Sequence, residues 1–104
     1  WVAEPLVNAD EPTDMAIAAA ASVVGAAAVN PHIAQTGGGE DFAYMLKHKQ
    51  GAFIRIGNGE ASAGVHTPKF DFNDAAIPYG VAYWVALVRQ ELRMARAHGM
   101  AEQR

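Results

Sequence analysis

The apolar positions near the end of the chain keep a helical rhythm. Ile77, Val81, Trp84, Val85, Val88 and Leu92 follow one another at intervals of four, three, one, three and four residues. At 3.6 residues per turn this spacing draws a single apolar stripe, and it predicts a helix from Ile77 or Pro78 to about His98. Arg89, Gln90, Arg93 and Arg96 put the later turns toward solvent, His98-Gly99 closes the helix, and the tail from Met100 frays.

A second apolar block, MAIAAAASVVGAAAV (15–29), is mostly alanine. It predicts a close-packing helix from about Pro12 to Ala27, with Asn8 or Asp10 as its cap and Pro12 in the first turn. Asn30-Pro31 ends it, because a proline drives the residue before it out of helical space. Glu40 to His48 reads as a short helix, with Lys47, His48 and Lys49 crowding its C-terminus. Three short segments have the composition of strands: WVAEPLV (1–7), His32 to Thr36, and AFIRIG (52–57). Asn58 to Asp71 is a loop long enough to carry function.

The order strand, helix, strand, helix, strand, helix implies an α/β fold. The expectation is a three-layer-type sheet with flanking helices, representing the C-terminal part of a larger catalytic domain. With 104 residues the core is thin, and the chain opens on Trp1 rather than methionine, so we read it as a piece of something longer. An uncovered apolar patch should follow from that.

Composition narrows the function classes. A net charge of −3 and a pI near 5.7 offer no general attraction to phosphate backbones or anionic lipid. No nucleic acid and no membrane are therefore expected as partners. The run 15–29 is too short to span a bilayer. Without cysteine the chain has no disulfide, thiolate nucleophile or Cys-based zinc site, which fits a cytoplasmic protein.

Two loops leave the carboxyl ends of expected strands, where α/β proteins gather ligands. In TGGGEDF (36–42) the glycines invite a phosphate-loop reading. No Lys or Arg accompanies them, and Glu40 and Asp41 occupy the place of the phosphate, so a capped tight turn is the simpler account. Gly38 and Gly39 could instead bring backbone N–H groups to a substrate carboxylate or carbonyl. His32, His48 and His98 each have a local explanation at a helix end. His66, in GVHTPKFDFND (64–74), lies in the long loop on backbone stiffened by Pro68, and imidazole is a common zinc ligand. One histidine cannot hold a metal, and no HExxH motif supplies partners. Asp71, Asn73 and Asp74 serve as caps for the last helix, Phe70 and Phe72 anchor the loop in the core, and Arg55 is either at a strand edge or paired with a carboxylate, an ion pair being favoured over a substrate contact.

Three stretches together carry a resemblance. PHIAQT with GGGEDFAYML, GAFIRIGNG, and GVHTPKFDFNDAAIPYG resemble, in order and separation, the C-terminal end of the metal-dependent aminoacylase, hippurate hydrolase and carboxypeptidase family of amidohydrolases. EPLVNAD (4–10) is similar to that family's return strand from an inserted lid domain. The resemblance implies residues 1–9 as this return strand and 10–104 as the C-terminal part of the catalytic domain. It implies a hydrolase that cleaves the amide of N-acyl amino acids or similar small amides with a metal-activated water. It also implies two divalent ions, zinc or manganese, with His66 as a metal ligand and Gly38, Gly39 and Glu40 lining the substrate pocket. The general base and the other ligands are expected in the N-terminal part of the same enzyme, and a homodimer is expected through the lid. The alternative from the residues is a non-catalytic α/β module that binds a small carboxylate or a partner protein.

Overall fold

The computed structural model describes residues 3–103. Among them the elements are helix α1 (Asp10–Val24), a 3-10 turn (Ala26–Ala28), helix α2 (Phe42–Leu46), a second 3-10 turn (Asp74–Ala76) and helix α3 (Ile77–Glu102). They belong to two compact units, one running to Ile54 and the other starting at Arg55. No helix among the described residues is long and apolar enough to cross a membrane.

In the first unit, α1 starts without a side-chain cap. The Thr13 hydroxyl donates to the Ala9 carbonyl at 2.7 Å, while Asn8, expected as a cap, is used elsewhere. The helix ends earlier than the proline predicts. Gly25 adopts φ 82°, a left-handed region that glycine enters without steric cost, and its N–H closes on the Ala21 carbonyl at 2.8 Å. Ala16 and Ala19, one turn apart, are buried, as is Ala43 of α2.

The expected α/β sheet does not form: the described residues contain no strand. The reason is visible where the segments at 3–9 and 51–54 meet. Ala9 N–H donates to the Gly51 carbonyl at 3.0 Å, as a ladder would begin. The next pairing is made by a side chain instead. The Asn8 amide donates to the Phe53 carbonyl at 3.0 Å and accepts from the Phe53 N–H at 2.8 Å. An asparagine thus satisfies both backbone groups that a neighbouring strand would have taken. Residues 1 and 2 of the expected first strand lie outside the described residues. At 32–36, the His32 N–H turns back to the Asn30 side chain at 2.9 Å rather than extending into a ladder.

In the second unit, α3 begins where the periodicity places it and carries Pro78 in its first turn. It runs past His98-Gly99 to Glu102, so the expected closure there is overturned. His98 Nδ1 lies 2.8 Å from the Met94 carbonyl, one turn back within the helix. The stripe predicted from spacing is continuous but open to solvent, from 44% exposure at Val85 to 61% at Trp84. Among the described residues of this unit the buried hydrophobic one is Tyr83, next to the stripe, and burial pushes its hydroxyl pKa above the ordinary tyrosine value. Phe70 and Phe72, expected as anchors in the core, are also exposed.

Candidate functional site

Glycine-rich backbone leads into α2, and Glu40 caps it. The Glu40 carboxylate accepts from the Phe42 N–H at 3.3 Å, and its carbonyl accepts from the Ala43 N–H at 3.1 Å. This is the local helix-capping role expected of an acid at that position. The glycines before it differ from one another. A Cβ at Gly37 or Gly38 would meet nothing within 4 Å, whereas one at Gly39 would lie 3.2 Å from the Ala3 Cβ. Gly39 is therefore needed for close approach to residue 3, and Gly38 faces open space.

His66 sits in the second unit, exposed, with φ 63°. No other described non-glycine residue has a positive φ. Such backbone is uncommon for a residue with a side chain and costs on the order of 1–3 kcal/mol, so the surroundings must impose it. The turn around it is held by the Thr67 hydroxyl, which donates to the Gly64 carbonyl at 2.7 Å, and by the Phe70 N–H on the Thr67 carbonyl at 3.1 Å.

Two residues not singled out as site residues from sequence organise this loop. Asn58 and Asn73 stand at its two ends and bond to each other through both side chains. Asn73 also accepts from the Ala75 N–H at 3.0 Å, so it caps the 3-10 turn before α3 rather than α3 itself, which starts without a side-chain cap. Asn58 had no role in the sequence reading beyond opening the loop. The Asn-Gly pair at 58–59 is the turn signal that could have found it.

Gly38, Gly39 and Glu40 share one stretch of the first unit, and His66 belongs to the second. Among the described residues no group of three or more His, Asp or Glu side chains is gathered to hold a metal ion. An exposed imidazole on a shaped turn has the right donor chemistry for one ligand position. It fits a metal as one ligand of a larger set.

Comparison with known proteins matches residues 2–90 to the profile of peptidase family M20/M25/M40. A protein named putative glutamate–cysteine ligase 2-3, from Rhodococcus jostii (strain RHA1), is 37% identical over 93 residues. That alignment takes in 84% of this chain and 11% of the relative, so the chain spans about a tenth of that protein's length. No solved structure matches the chain.

Proposed function

Because this chain belongs to peptidase family M20/M25/M40, we propose that it forms part of a metal-dependent hydrolase that cleaves the amide bond of N-acyl amino acids or related small amides. The observation that carries the reading is His66. Within a segment matched to a peptidase family, an exposed histidine sits on backbone that a residue with a side chain does not ordinarily choose. Residues 1–9 are read as the return from a lid domain that pairs two copies, and residues 10–104 as the end of the catalytic domain.

In this reading His66 contributes one neutral imidazole to a divalent ion, zinc or manganese, in a two-ion site completed by another part of the enzyme. A bound divalent ion supplies Lewis acidity to the scissile carbonyl and to water. Gly38 offers unshielded backbone beside the substrate, and Gly39 lets the same stretch lie close against Ala3. Glu40 is occupied with the start of α2 and acts on the shape of that wall rather than on protons. The general base lies outside this chain.

The relative's name raises ligation as a different chemistry, but nothing in this chain favours it. Gly37 to Gly39 are followed by Glu40 and Asp41, with no Lys or Arg to meet a nucleotide's phosphates.

The test is His66→Ala in the whole enzyme, read by metal analysis and by kcat/KM. Loss of a group that merely supports a metal ligand costs about 10–100-fold. His66→Ala should exceed that range and lower the bound metal, while His32→Ala, His48→Ala and His98→Ala change activity far less. Full activity and full metal content in His66→Ala would overturn the reading.

A further inference from the structure

The loop that carries His66 is shut at its neck by the side chains of Asn58 and Asn73. The two side-chain N–H groups of Asn58 donate to the Asp71 carbonyl at 2.8 Å and to the Ser62 hydroxyl at 2.7 Å. Its side-chain oxygen accepts from the Asn73 N–H at 2.8 Å. In return the Asn73 side chain donates to the Asn58 carbonyl at 3.3 Å. Every polar group of the Asn58 amide has a partner, so its orientation is fixed. The oxygen of the Asn73 side chain holds the Ala75 N–H at 3.0 Å, which ties the neck to the turn that leads into α3. Gly59 completes the arrangement. It adopts φ 106°, and a Cβ there would stand 3.5 Å from the Asn73 amide nitrogen.

We propose that the Asn58–Asn73 pair is a clasp that positions His66. By bringing the two ends of the loop together it removes most of the loop's freedom, and it keeps the intervening turns short enough to hold His66 in its left-handed conformation. Both asparagines are thus positioning residues and touch no reacting atom. The chemistry also explains the residue type. An aspartate at position 58 would keep the shape and the acceptor, lose both donors, and set a negative charge against the Asp71 carbonyl. The functional consequence of the clasp rests on His66 being a metal ligand; the clasp itself does not.

The experiment compares wild type, Asn58→Asp, Asn73→Asp and His66→Ala in the whole enzyme. Hydrogen–deuterium exchange across residues 59–72 reports the loop, titration of the metal-free protein with zinc alone reports the ligand, and thermal melting reports the fold. Asn58→Asp should exchange faster in the loop and bind zinc about 10–100-fold more weakly, with little change in melting temperature. Asn73→Asp keeps the acceptor for the Ala75 N–H and should move both readouts the same way by less. Exchange and zinc affinity unchanged in Asn58→Asp would overturn the proposal. So would faster exchange with unchanged zinc affinity, if His66→Ala does lose zinc. If His66→Ala binds zinc as wild type, the functional reading fails instead, and the clasp is decided by exchange alone: faster supports it, unchanged overturns it. Should Asn58→Asp fail to fold, Asn73→Asp decides by the same criteria.

Discussion

Both units of this protein use an asparagine side chain to bond backbone groups distant along the chain, yet the two asparagines work in different surroundings. In the first unit Asn8 bonds both backbone groups of Phe53, and the Phe53 ring stands 5.7 Å from that of Phe42, centroid to centroid. The tie is partly buried and backed by aromatic contact. In the second unit the Asn58–Asn73 bonds lie largely in solvent, beside a loop whose two phenylalanines are exposed. The hydrogen-bonding pattern is similar, but the competition from water is not. A bond whose partners would otherwise be stranded away from water supports the fold, whereas one that water can replace mainly selects a conformation. The first unit's asparagine therefore serves stability, and the second unit's serves shape.

The comparison can be broken first at the best-packed point. Ala19 has no exposed surface. Enlarging it in Ala19→Leu should destabilise the protein by about 1–3 kcal/mol, because an enclosed site must shift to admit the added carbons. Urea unfolding measures this, and a midpoint at the wild-type value would show that the first unit is not closely packed there.

A matched pair of substitutions sharpens it. Asn8→Ala leaves the N–H and carbonyl of Phe53 without their partner in a partly buried place, and should cost about 1–2 kcal/mol. Asn58→Ala removes three side-chain bonds in the second unit against two for Asn8→Ala, but should cost about 0.5 kcal/mol or less, since water takes over. Equal losses in the same unfolding experiment would contradict the division between stability and shape.

The sequence showed the helices more clearly than what lies between them. The rhythm from Ile77 to Leu92 places the start of α3 correctly because periodicity is a property of the helix itself. It says nothing of what covers the stripe, and the stripe is open. The end of α1 was misplaced because Gly25 stops the helix before Pro31 can act. The strands failed for a deeper reason. AFIRIG has strand composition, but a strand exists only with a partner, and here the partner for Phe53 is a side chain. That Asn8 would make this bond rather than cap α1 is a tertiary choice that local pattern does not contain. At the site, His66 was legible as the histidine without a local explanation. Its left-handed backbone is a feature of the folded turn, and the pairing of Asn58 with Asn73 joins residues fifteen apart, neither of which spacing alone reveals.

Asn58 also carries a slow clock. The residue after it is Gly59, whose lack of a side chain leaves its backbone nitrogen unshielded beside the Asn58 amide carbon. Attack by that nitrogen expels ammonia and closes a five-membered imide, which water then opens to aspartate or isoaspartate; asparagine is thermolabile for this kind of reason. The three bonds on the Asn58 side chain hold it away from this attack while the neck is shut. Folded protein stored at mildly alkaline pH should therefore deamidate at Asn58 more slowly than the same protein in denaturant, as followed by peptide mass spectrometry, and equal rates would mean that the bonds give no protection. Once the conversion occurs, each aged molecule has lost the donors that shape its loop, so an old preparation would decline in function while its helices remain intact.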